Sequence, residues 1–224
     1  MSKSGARHAS HGRPPAGEGG DRRELILDSA LNLFAGHGIA GTTIARIAEE
    51  ASVTPAMVHY YFANRAGVLD AIVAERLAPI VDYIWSIVSG EDRVDPRQVI
   101  VEFVDRILET VERMPQLPLL WSREVLNAGG LLRERVMALI PVERFALLTR
   151  IFSDAQKRGE FNPAVDPALI LISIMGLVFF PLIARDMIGT VGVVSSLDRS
   201  ALRKHALSVL MNGLCGNSHL EERS

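Results

Sequence analysis

The chain has one cysteine, Cys215, among 224 residues. That excludes an intramolecular disulfide framework and a cysteine-rich zinc site, and it fits a cytoplasmic location best. The six histidines are scattered, four of them before residue 60. No Glu-x-x-His pair suits a two-metal site, no glycine-rich loop suits a phosphate, and no second ligand stands three or four residues from His59. These absences argue against an enzyme, a cofactor and a metal. The formal net charge is −2, so no global field draws the chain to nucleic acid, and any basic surface must be local. The first twenty residues are polar and rich in Gly, Pro and Ser, without the apolar segment of a secretory signal. The longest apolar run, "ALILISIMGLVFFPLIA" from Ala168 to Ala184, is about one turn short of a comfortable membrane span. It contains Gly176 and Pro181 and is bracketed by Asp166 and Arg185. A buried helix is expected, covered on one flank by its own domain and on the other by a second subunit.

Hydrophobic residues make up 48% and charged residues 22%, a globular composition for one large domain or two small ones. Residues 1–20 read as a flexible tail. Lys3, Arg7 and Arg13, with His8 and His11 nearby, leave it either inert or an arm attracted to phosphate. From Asp21 onward the punctuation is helical. Asp21 with Glu24 resembles a capping box. Ile26, Ala30, Leu33 and Phe34 then form one stripe, and Gly38 is placed to end the helix in a left-handed turn. Thr54-Pro55, Asp95-Pro96 and Asp166-Pro167 each pair an N-cap with proline at the first helical position. Asn64 can cap the helix that runs toward Trp85 and Val88. "PLLWSREVLNAGG" reads as a short helix closed by Gly129-Gly130. A longer one is expected from Leu131 to Arg158, kinked at Pro141. Ser196 or Asp198 opens the last, which stops near Gly216. No strand alternation and no internal repeat is found. The expected fold class is all-α, with about nine helices.

Aromatic residues make up only 6%, yet four rings stand together as His59-Tyr60-Tyr61-Phe62. Successive helical residues point about 100° apart, so they cannot all face one core. The second and third helices are separated by "ASVT", the spacing of a helix-turn-helix. Ala48 suits their close approach and Val53 plugs the turn. Val58 and Phe62 share the core-facing side of the third helix. The other residues of that helix are left to outer faces, and its first turn offers free N–H groups to phosphate.

The stretch "ILDSALNLFAGHGIAGTTIARIAEEASVTPAMVHYYFANRAGVLDAIV" resembles the tetracycline-repressor (TetR) family of transcription regulators. The resemblance covers about Glu24 to Val73. It rests on the coincidence of "LFAGHG", "TT.ARIA", "ASVT", "YYF" and a basic residue three beyond the Phe. It implies a helix-turn-helix domain over 21–66 and a ligand-sensing, dimerising helical domain over 67–224. It implies DNA contacts from Thr43, from Thr54, Pro55, Ala56 and Met57, from His59, Tyr60 and Tyr61, and from Arg65. Arg46, on an exposed face of the second helix, adds a candidate phosphate contact. Other readings stay open: Thr43 and Thr54 as helix caps alone, Tyr60 packed on the first helix, Arg65 as a solvated arginine. Family members often carry Lys or Ser, then Gly or Ala, then Thr or Ser where this chain has Pro55-Ala56-Met57. His59 replaces a common tyrosine. The operator is therefore not legible.

In the remaining two thirds, Trp85, Phe103, Trp121, Phe145, Met175 and Phe179 lie on several helices that would converge. They form either ordinary core or the lining of the small-molecule pocket that the family implies, suited to an apolar or amphipathic effector. Arg123, Glu124, Asn127 and Arg150 are candidate polar anchors. The last two helices are expected to pair with their copies as a four-helix bundle, giving a homodimer that reads a palindromic double-stranded operator. The expectation is a ligand-released repressor with no membrane partner. The alternative is a DNA-binding regulator without a small ligand, constitutive or controlled by a protein partner.

Overall fold

The computed structural model describes residues 18–88, 95–185 and 198–215, and among these the secondary structure is entirely helical. Most of the N-terminal tail and the Gly216 stop lie outside the described residues. Helix α1 spans Glu18–His37. It starts ahead of Asp21, so Asp21 lies within its first turn rather than capping it. Its stripe is buried as patterned: Ile26, Ala30 and Phe34 have no exposed surface and Leu33 has little. Gly38 ends the helix at φ +75°, where a side chain would be strained. Its N–H donates to the Phe34 carbonyl at 3.0 Å.

Helices α2 (Ile44–Glu50) and α3 (Pro55–Phe62) pack on each other and on the α1 frame. Thr43 caps α2 and Thr54 caps α3, each accepting a backbone N–H three residues on. Ala48 is buried at the junction and Val53 plugs it from the turn. Helix α4 (Arg65–Ile72) begins at its Asn64 cap, and a π-helical turn over Val73–Leu77 carries it into α5 (Ala78–Trp85). Pro79 lies just beyond that turn. It lacks the N–H that would bond the carbonyl one turn back, which is a local reason for the wider turn.

The C-terminal region contains α6 (Pro96–Arg113), α7 (Leu117–Trp121), a second π-helical turn (Ser122–Leu126), α8 (Arg133–Met137), α9 (Val142–Lys157), α10 (Ile170–Ile183) and α11 (Arg199–Cys215). Asp95 and Asp198 cap α6 and α11 through their carboxylates. Pro141 does not kink one long helix; it separates α8 from α9, holding an extended conformation between them. Asp166-Pro167 opens a 3-10 turn over Pro167–Leu169, and α10 begins after it. Helix α11 packs on α6 and α10, and α7 reaches back to α1. No described helix is long and apolar enough to cross a membrane.

Candidate nucleic-acid interface and apolar cavity

Helix α3 is held by two side chains. Val58 and Phe62 are buried, and the Arg23 guanidinium lies 5.0 Å from the Phe62 ring centroid. The other rings divide by exposure. Tyr60 is 84% exposed. Tyr61 packs against the core, its ring edge-on to Tyr60 at 5.2 Å and tilted toward Phe62 at 6.2 Å. His59 is exposed. Its Nδ1 lies 2.7 Å from the Ala63 carbonyl and donates to it, closing the helix end and leaving Nε2 unpaired within the helix. Pro55 and Ala56 are exposed at the first turn, and Met57 is half-buried.

On α2, the Thr43 hydroxyl accepts the Arg46 N–H at 3.2 Å. The exposed Arg46 guanidinium donates to His37 Nε2 at 2.8 Å. The Thr43 and Thr54 hydroxyls thus act as caps, and both residues are exposed. Arg65 is half-buried. Its Nη1 donates to the carbonyls of Ile39 at 3.2 Å, and of Ala40 and Thr42 at 3.4 Å each. It therefore ties down the turn between α1 and α2. Thr42 is fully buried beneath the same turn and donates to the Gly38 carbonyl at 2.8 Å. Sequence reasoning passed over His37 and Thr42. The doubled threonine was the available signal for Thr42; nothing local singled out His37.

The helices after α4 enclose a cavity of about 140 Å³. Of the expected pocket residues, Trp85, Phe103, Trp121, Met175 and Phe179 line it. Phe145 is not in the lining; it packs on Trp85 at 6.3 Å between ring centroids. Nor are the candidate polar anchors. Arg123 donates instead to the Gly36 carbonyl at the end of α1. Asn127 is exposed and its side-chain Oδ1 accepts the Gly129 N–H. Arg150 is exposed on α9, and Glu124 is buried but turned toward α1. The rest of the lining is aliphatic, including Leu77, Ile107, Leu117, Val136 and Ile174. Among the lining side chains only Trp85 and Trp121 carry an N–H group, and they are the chain's two tryptophans.

Both π-helical turns sit between this cavity and α1. In the first, Leu77 lines the cavity, while Glu75 pairs with Arg23 and Arg76 with Glu24 and Asp28. The hydrogen bond from Arg23 holds the Glu75 carboxyl below its usual range. The second follows Trp121 directly and carries Arg123 and Glu124.

Two family models match. That described as bacterial regulatory proteins, tetR family, covers residues 26–72, and that described as tetracyclin repressor-like, C-terminal domain, covers residues 96–210. The chain is 26% identical over 149 residues to the probable HTH-type transcriptional regulator YttP of Bacillus subtilis, covering 66% of this chain and 72% of that one. It is 27% identical over 189 residues to the HTH-type transcriptional repressor SCO4008 of Streptomyces coelicolor, covering 80% and 92%. The solved structure of the ketosteroid transcriptional regulator KstR2 of Mycobacterium tuberculosis superposes with a TM-score of 0.69 at 16% identity, over 88% of this chain and 96% of that one. At that identity the likeness is one of fold.

Proposed function

The chain belongs to the tetR family of bacterial regulatory proteins, and from that membership we propose a homodimeric repressor that binds a palindromic operator and is released by a small apolar ligand. Regulation of transcription through a helix-turn-helix comes with the family. The dimer, the ligand and the sign of control are the proposal. Thr43, Arg46 and Arg65 are assigned to phosphates or to holding the groups that meet them. Thr54, Pro55, Ala56, Met57, His59, Tyr60 and Tyr61 are assigned to the groove, with Tyr60 the more available of the two tyrosines.

The cavity is the observation that carries ligand control. A filled core would have favoured a regulator without a ligand. A carboxylate or ammonium placed in this lining would lose its hydration and find no charged partner, at a cost of several kcal/mol. The part of the effector that enters is therefore uncharged. An apolar cavity of about 150 Å³ admits a benzene-sized molecule, so the cavity as it stands, about 140 Å³, suits one ring or a short branched chain. Dimerisation has its own support. Leu169, in the turn before α10, and Ile172 and Phe180 on α10 are exposed, as is Val209 on α11. The groove between them is bordered by the small residues Ser173, Gly176 and Gly213, which would let a partner's helices approach closely.

Titration of the dimer with toluene tests the reading, because both tryptophans report on the cavity. Toluene is expected to change the tryptophan emission saturably and to weaken binding to a palindrome flanking the protein's own gene. Specific DNA binding that no neutral apolar probe alters would overturn ligand control. Absence of any protected palindrome would overturn the regulator itself.

A further inference from the structure

Glu124 is 7% exposed, and among the described residues it is the one buried carboxylate. Both its oxygens are used, and both partners are backbone. Oε1 accepts the Ile39 N–H at 2.9 Å and Oε2 accepts the Leu131 N–H at 3.1 Å. Ile39 lies 85 positions earlier in the chain, in the turn between α1 and α2. A helix ending on glycine ordinarily folds its next N–H groups back onto its own last carbonyls. Here Gly38 makes such a bond, to Phe34, but the buried Ile39 N–H goes to Glu124. The end of α1 is thus completed by the sensor domain. The fit is close. A Cβ on Gly38 would stand 3.3 Å from Oε1, and one on Gly130 would stand 2.2 Å from the Glu124 carbonyl oxygen.

The same turn is gripped from its other side. The Ile39 carbonyl accepts from Arg65, which opens the helix after α3. One residue's backbone therefore links a sensor-domain carboxylate to a guanidinium of the DNA-binding domain. On the sensor side, Glu124 lies three residues beyond Trp121, which lines the cavity, and Arg123 between them holds the Gly36 carbonyl. We infer that Glu124 is a positioning residue for DNA binding: it sets the α1–α2 turn, and through Arg65 and the Thr43 cap it sets the angle at which α2 and α3 are presented. This rests on the DNA-binding reading above. It adds that a ligand pressing on Trp121 acts on the DNA face through this carboxylate.

The test compares Glu124→Gln with Phe161→Leu, a core change where Phe161 stacks on Phe152 of α9. Glutamine keeps the shape but presents one acceptor oxygen to two N–H groups. Three readouts are taken on each dimer: Tm, operator affinity by fluorescence anisotropy, and amide hydrogen exchange. For Glu124→Gln the expected result is at least a tenfold loss of operator affinity and at least tenfold faster exchange at Ile39. Phe161→Leu lowers Tm as much or more and leaves both nearly unchanged. The inference is overturned if Glu124→Gln binds operator within twofold of wild type, or if both variants lose affinity in proportion to Tm. Should Glu124→Gln not fold, exchange in the wild-type dimer decides. Ile39 is expected to exchange with the slow amides of the sensor core, such as Phe152; exchange at the rate of Ala40 and Gly41 overturns it. If wild type binds no specific DNA, the functional proposal falls, while the exchange readout still decides whether Glu124 holds the turn.

Discussion

At the scale of single residues, side chains assigned to DNA also hold the fold together. Arg65 shows the conflict most clearly. As a plain phosphate contact it would be replaceable by lysine, which keeps the charge. As a tie from the one nitrogen Nη1 to the carbonyls of Ile39, Ala40 and Thr42 it would not be, because lysine is shorter and its ammonium holds its water more tightly than a guanidinium does. The distances favour the tie. Arg65→Ala is expected to weaken binding about tenfold to operator and to scrambled duplex alike, and Arg65→Lys to recover less than half of the lost free energy, as measured by anisotropy. Full recovery by lysine would return Arg65 to the simpler role. His59 belongs to the other class. Its Nδ1 is tied to Ala63, so the ring is oriented and Nε2 is the atom left to meet a base. His59→Ala should change which sequence is preferred more than it changes affinity for scrambled DNA.

At the scale of elements, both π-helical turns send polar contacts to α1, and the first contains a titratable one. Glu75 is held below the ordinary carboxylate range by the hydrogen bond from Arg23. A carboxylate with a depressed folded-state pKa stabilises the fold above its unfolded value and loses that contribution as pH falls through the folded one. The contribution of the Arg23–Glu75 bridge should therefore be full at neutral pH and be lost in acid, as pH falls from the ordinary carboxylate range through the depressed folded-state value. Its partial exposure keeps the effect small. In a Tm-against-pH series, Glu75→Gln should lie below wild type near neutrality and converge with it in acid; parallel curves would mean that the bridge contributes nothing. These turns also mark where the sequence stopped being legible. Thr43, Thr54-Pro55, Asn64, Asp95-Pro96 and Gly38 were readable because caps and breakers act on neighbours within four residues. The cavity aromatics stand out as large side chains on several helices, but a pocket among them was only what the family resemblance implied. The π turns were not, since they depend on how a continuous helix is loaded from outside. Glu124 was noticed only as a possible ligand anchor, because its partner is 85 residues away and nothing near position 124 encodes it.

At the scale of the whole molecule, the proposed function needs two copies. The helix-turn-helix region carries few cations, so one subunit can neutralise few phosphates and its affinity alone should be modest. Two subunits joined rigidly make the second half-site contact intramolecular, and such tethering raises apparent affinity by about 10²–10⁴ without any new contact. The join is proposed along α10 and α11, where Phe180 is 65% and Ile172 61% exposed in the single chain. Phe180→Glu puts a charge into that face and touches neither the cavity lining nor the DNA face. Sedimentation should show a folded monomer with unchanged helical content. Anisotropy on the palindrome should show a loss of about 10²–10⁴, and because half the phosphates are no longer engaged together, the slope of log affinity against log salt should fall by about half. A dimer that survives the substitution would place the interface elsewhere. A monomer that keeps the wild-type salt slope would mean that one subunit supplies all the phosphate contacts, and the palindrome would lose its physical reason.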